Sequence, residues 1–174
     1  MSFQLLNDDE ERELWRLSRV YWREALRCEN TKAFLAGAVM LGSALETLLI
    51  LMANAHPDEA EATIPKKKGQ GRPLLEWKLA DLLKVAKAAN WLPSGLNLED
   101  DWNRRKAKLG DYAEVVRMVR NLVHPARYFK DHYRSRVTAR YLQRQFDVVL
   151  NCRDWLLARN NEVLRKRMRE EGIL

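Results

Sequence analysis

From Ala33 to Ala53 this chain runs through 21 residues with a single charged side chain, Glu46. As a helix that stretch is about 30 Å long, enough to cross a bilayer, so the chain must either insert it or wrap it. A central carboxylate costs about 2.5–3.5 kcal/mol on insertion. The neighbouring segments are amphipathic, as expected of helices that cover an apolar partner. The stretch therefore reads as the buried central helix of a bundle, over Lys32 to Ala55. Gly37, Gly42 and the alanines would admit neighbours closely. No membrane association is expected.

The other segments supply the wrapping. A first helix starts near Asn7 or Asp8, with acidic residues in its first turn complementing the helix dipole. Its apolar face is Leu14, Leu17, Tyr21, Ala25 and Cys28; Arg12, Arg16, Arg19, Arg23 and Arg27 mark the other face. Glu29-Asn30-Thr31 makes a turn. Residues 56–72, with Pro65, Lys66-Lys67-Lys68 and Gly69-Gln70-Gly71, read as a basic loop. Pro73 suits the first position of a third helix, with Leu75, Leu79, Leu82, Leu83, Ala86 and Ala89 inward. Asn97 is a plausible cap for a fourth helix, with Glu99, Asp100 and Asp101 in its first turn. That helix is expected to bend near Gly110-Asp111 and stop at His124, because Pro125 disfavours helical geometry before it. Trp102, Leu109, Tyr112, Val116, Val119 and Val123 form its seam. A fifth helix spans about Ser135 to Glu170, with Val137, Tyr141, Val148, Cys152, Trp155 and Val163 inward. The expected fold is all-α, a single bundle of about five helices over residues 1–174.

The charge is divided. Residues 1–62 carry six Lys/Arg against eleven Asp/Glu, and residues 63–174 carry 25 against 13, within a total of +7. A basic half of that size fits a polyanionic partner such as RNA, or simply solvated helix faces. Several chemistries find no pattern: there is no phosphate-cradling Gly-x4-Gly-Lys-Ser/Thr, no Gly-x-Ser-x-Gly and no Cys-x-x-Cys. Two cysteines and three histidines form no ligand set, so neither metal nor cofactor is expected. The first residues lack the basic and apolar regions of a signal peptide, which suggests a reduced, cytoplasmic protein.

The segment that best suits chemistry is Arg120-Asn121-Leu122-Val123-His124-Pro125. On a continuous helix Arg120 and His124 share one face. The guanidinium fork suits phosphate oxygens, the imidazole exchanges a proton near neutral pH, and Asn121 both donates and accepts hydrogen bonds. Such a set suits a phosphodiester reaction, with an imidazole handling a 2′-hydroxyl proton and a cation offsetting developing charge. Two other readings stay open: a structural role, in which Arg120 neutralises Glu46 and His124 caps a helix, and plain ligand binding. Nearby Arg117, Arg127, Tyr128, Lys130 and Arg134 give the mixture of cations and aromatics used by single-stranded RNA binders, or else pack the last two helices.

The order of these features, Gly42-Ser43-Ala44-Leu45-Glu46-Thr47-Leu48-Leu49, then Leu79-Ala80-Asp81-Leu82-Leu83, then Arg120 to Pro125, resembles the HEPN superfamily over roughly residues 30–160. The resemblance implies a helical RNA- or nucleotide-associated domain and a homodimer. In members with the full motif it implies a metal-independent ribonuclease, frequently a toxin with a cognate antitoxin or partner protein, in a stress or phage-defence setting. Carried over, Arg120 would stabilise phosphate charge, Asn121 would be the polar residue, and His124 the base or acid. Three residues separate Arg120 from His124, one fewer than the family's usual minimum; Arg117 has six intervening but is followed by Met118. The alternative is a non-catalytic helical interaction module held together by Arg120, His124 and Glu46.

Overall fold

The computed structural model describes residues 3–64, 72–95, 107–131 and 137–170. Among these, seven α-helices and no named strand occur: α1 (Asp8–Asn30), α2 (Phe34–Ala55), α3 (Pro57–Thr63), α4 (Leu79–Ala88), α5 (Leu109–Arg120), α6 (Pro125–Asp131) and α7 (Ala139–Glu170). The all-α class holds; the count of five does not. The two additional helices lie in segments expected to be connections: the basic loop, and the link between the fourth and fifth helices. Pro57 starts α3 inside the expected loop, and Pro125 starts α6 immediately after the expected stop. A proline that ends one helix is also well suited to begin the next, because its fixed φ matches the first helical position and its missing N–H is not needed there.

α1 begins where its chemistry requires. The Asn7 side chain accepts from the backbone N–H groups of Asp9 and Glu10, and the Glu10 carboxylate accepts from Asn7 N–H at 2.9 Å. This reciprocal cap satisfies donors the helix cannot pair internally.

α2 is the centre of the molecule. It packs against α1, α4, α5 and α7, and its face from Leu41 to Ala53 is almost wholly buried. It is also the one described helix long and apolar enough to cross a membrane. Burial of that surface by amphipathic neighbours is the main source of cohesion, at about 25 cal/mol per Å² of apolar area. Gly37 accepts the methyls of Leu142 from α7, where an added Cβ would meet Leu142 Cδ2 at 2.9 Å.

The third expected helix starts late. Pro73 precedes a short 3-10 turn over Leu74–Glu76, and α4 begins only at Leu79. Tertiary contacts hold the chain out of the helix: Leu74 N–H donates to Gln4 C=O at 3.1 Å, and the buried Trp77 ring packs tilted against Phe3 with centroids 4.8 Å apart. Leu75, assigned inward by spacing, is consequently exposed. Tyr112, Val123 and Trp155 are also exposed against expectation, Trp155 at 50%. Tyr112 and Trp155 sit at the edge of an apolar stripe, where the helical period alone does not say how far the neighbour extends, and Val123 lies on a 3-10 turn instead of the expected helix. The expected cap at Asn97 with Glu99, Asp100 and Asp101, the seam residue Trp102, and the run Lys66-Lys67-Lys68 lie outside the described residues.

Candidate functional site

α5 stops at Arg120, and a 3-10 turn carries the chain through Asn121, Leu122 and Val123. His124 is extended at φ −86°, ψ 117°, the conformation its following proline favours. Its N–H donates to Asn121 C=O at 3.1 Å, and its own C=O accepts from Arg127 and Tyr128 N–H, each at 2.9 Å, opening α6. The expected continuous helix, with Arg120 and His124 on one face, is therefore not formed. A 3-10 turn advances about 120° per residue against about 100° in an α-helix, so the tighter turn rotates His124 away from the face of Arg120.

Arg120 points inward. Its Nη2 lies 2.7 Å from Glu46 Oε2 and its Nη1 donates to Glu46 Oε1 at 3.0 Å, a two-pronged pair with both side chains mostly buried. Glu46 Oε1 also accepts Leu79 N–H at 3.1 Å, so one carboxylate ties α2 to α5 and to the first turn of α4. The fork geometry of the guanidinium suits this contact, and the donor at the start of α4 would otherwise lack a partner. Gly42, one turn before Glu46, makes room. A Cβ there would lie 2.8 Å from both Cβ and Cδ of Arg120. The arginine stem thus crosses α2 over a glycine before its head reaches the carboxylate. Gly42→Ala is expected to displace that stem and cost about 1–3 kcal/mol. Urea denaturation checks this, and an unchanged midpoint would contradict the tight crossing.

His124, Arg127 and Phe129 are exposed, Phe129 at 68%, with Tyr128 half-buried and edge-on to Phe129 at 6.3 Å. No ring hydrogen bond of His124 to another described residue is formed. Asn121 caps α5, its N–H donating to Arg117 C=O and Val119 C=O. Arg117 is held by the buried Glu114 at 2.7 Å on the same helix. Lys130 belongs to α6 by its backbone; Arg134 lies outside the described residues. Of the residues expected to act together, the structure groups His124, Arg127 and Tyr128 at the α5–α6 junction and separates Arg120 and Arg117 into ion pairs.

Comparison with protein-family models, curated proteins and solved structures finds no match. The site must be judged on its own chemistry. Burial pushes the Cys152 thiol up to about 12, which leaves it protonated and a poor nucleophile. Among the described residues no group of three or more His, Cys, Asp or Glu is placed to hold a metal ion.

Two features escaped sequence reasoning. Asp111, which marks the expected bend, is a buried carboxylate that accepts from the Ser94 hydroxyl, from Gly95 N–H at 2.8 Å and from Lys108 N–H at 2.9 Å. Lys87 Nζ lies 3.4 Å away. Burial alone would raise its pKa, but the hydrogen bonds and the lysine charge outweigh it and hold the carboxyl below its ordinary value of 3.8. The spacing Lys108-x-x-Asp111 was a legible half of this, since an acid at the third helical position reaches back to the capping residue's N–H. The second is a groove between α1 and α7, whose arginines were visible but whose second wall was not.

Proposed function

We propose that this chain is an RNA-associated helical domain of the HEPN type that works by binding rather than by cutting, as a cytoplasmic homodimer. The observation that carries this reading is the exposed step from His124 to Phe129 at the start of α6. It presents an imidazole, a guanidinium and a largely exposed aromatic ring within six residues. A cation that tracks phosphate beside a ring that stacks on a base is the pairing single-stranded RNA binders use. Binding is favoured over ribonuclease chemistry because Arg120, the cation the motif would aim at a phosphate, already holds Glu46. The same ion pair favours a second reading, a non-catalytic module that docks a partner protein.

Fluorescence anisotropy with a single-stranded RNA at low salt separates these, since backbone contacts are strongest there. Wild type should bind, and Arg127→Ala with Phe129→Ala should weaken binding roughly tenfold or more, from one phosphate contact and one stacked base at about 1–3 kcal/mol. Intact RNA after long incubation is the expected companion result. No shift at low salt would reject the RNA reading and leave the docking module.

A further inference from the structure

α1 and α7 both pack on α2 and leave a groove between them, floored by α2. The Trp22 ring of α1 meets Phe146 of α7 edge-on at 5.2 Å, closing one end. From there a cavity of about 470 Å³ runs over Ala44, Leu48 and Val149, walled by Arg16, Arg19, Arg23 and Arg153. It continues past Leu48 and Arg153 into a second depression of about 90 Å³ over Leu51, Met52 and Leu156, flanked by Trp15 and Leu157. Those last two side chains are 39% and 38% exposed. Along α1 the lining reaches from Glu11 to Arg23, or about 18 Å at 1.5 Å per residue.

The chemistry of the two surfaces differs. The floor is aliphatic and aromatic, and the rim is cationic along Arg16, Arg19, Arg23 and Arg153, with Glu11 at the far end. Arg16 is engaged by Glu13 and Arg153 by Asp154. Arg19 and Arg23 have no carboxylate partner among the described residues; the only hydrogen bond between them runs from Arg23 Nε to the Arg19 C=O at 3.4 Å. Two guanidinium groups without a carboxylate thus stand beside an apolar trough whose floor is buried and whose edge residues Trp15 and Leu157 are exposed. A long, open trough with donors only along its edge suits an extended occupant better than a small enclosed ligand. Its length matches about three turns of helix.

We infer that the α1–α7 groove docks an amphipathic helix from a partner protein, with an apolar stripe on the Leu48–Leu156 floor and Asp/Glu residues facing Arg19 and Arg23. This is the helix-in-groove mode, in which residues at i, i+3/i+4 and i+7 anchor and rim charge sets register and partner choice. The site is carried by different elements from the α5–α6 step, so it does not depend on RNA binding.

The test is a selection of displayed helical peptides, about 12–16 residues long, against wild-type protein and the doubly reversed variant Arg19→Glu with Arg23→Glu. Both positions are exposed, so the variant should melt as wild type does. Enriched peptides are expected to share a helical apolar stripe flanked by Asp/Glu, to bind more weakly as salt rises, and to lose about tenfold or more in affinity for the variant. The inference is overturned by enriched sequences without acidic bias, or by equal affinity for both proteins. It is also overturned if the reversal abolishes self-association instead, which would make the groove an interface between two copies. Loss of single-stranded RNA binding in the same variant, without any peptide preference, would assign the arginines to nucleic acid.

Discussion

Arg120→Ala is expected to lower stability by about 2–3 kcal/mol, seen as a fall in melting temperature of roughly 5–10 °C for a chain of this size. The substitution removes the only side-chain cation on Glu46 among the described contacts and leaves that carboxylate mostly buried with Leu79 N–H as its remaining partner. Breaking one side of a fully buried pair costs about 3–5 kcal/mol, and the partial exposure here, 29% for Arg120 and 20% for Glu46, moderates it. Arg120→Lys should recover part of the loss, because a point charge cannot reproduce the two-pronged contact. Arg120→Met with Glu46→Gln should recover more. Glutamine keeps an acceptor for Leu79 N–H, and no lone charge remains buried. His124→Ala, by contrast, should leave the melting temperature almost unchanged, because the exposed ring contributes no described hydrogen bond. An Arg120→Ala protein as stable as wild type would show that the pair does not hold the fold, and would restore Arg120 as a candidate for ligand chemistry.

Asp111→Ala should cost about 3 kcal/mol, a drop of roughly 6–12 °C, the largest effect of any single polar substitution considered. It removes the acceptor used by the Ser94 hydroxyl and by the backbone N–H groups of Gly95 and Lys108, and leaves Lys87 beside an apolar methyl. Because the folded carboxyl titrates below its ordinary 3.8, its contribution is fully present above that value. It is lost as pH falls through the lower, folded pKa, so the wild type should lose stability in strongly acid solution. Denaturant unfolding followed from neutral pH down to pH ~3 gives the check: the difference between wild type and Asp111→Asn should shrink across the acid limb. A difference that stays constant to the lowest pH would mean that Asp111 is not ionised in the fold.

The two substitutions act on different junctions. Glu46 and Arg120 join the middle of α2 to the end of α5, whereas Asp111 ties the segment after α4 to the start of α5. α5 is therefore pinned at both ends by a carboxylate contact. Beyond Arg120, Leu122 alone of the 3-10 turn is buried, and His124 and Phe129 of the α5–α6 step are exposed.

Local pattern made much of this visible beforehand. The lone charge in Ala33–Ala53 named the central helix, because an apolar surface on every side can be satisfied only by being surrounded. The acidic first turn placed the start of α1 near Asn7 or Asp8, because those side chains complement the helix dipole, and the helix begins at Asp8. The 3.6-residue period identified Leu14, Leu82, Val116 and Cys152 as inward, and the proline at 125 correctly predicted that His124 leaves the helix. Partnership across the chain was legible only in part: the lone acid Glu46 needed a cation and Arg120 was one open candidate, a pair the structure forms, but its two-pronged geometry and the Leu79 N–H donor did not follow from local pattern. Glu46 meets Arg120 at a separation of 74 residues and Leu79 at 33. The groove arginines of α1 acquire Arg153 from α7, and whether Trp155 is covered depends on where a neighbouring helix happens to end. Periodicity and capping are fixed by the residues of one element and its immediate flanks. Ion pairs, grooves and the turn that takes Arg120 away from His124 are fixed by the packing of elements distant in sequence, and only the tertiary structure sets those distances.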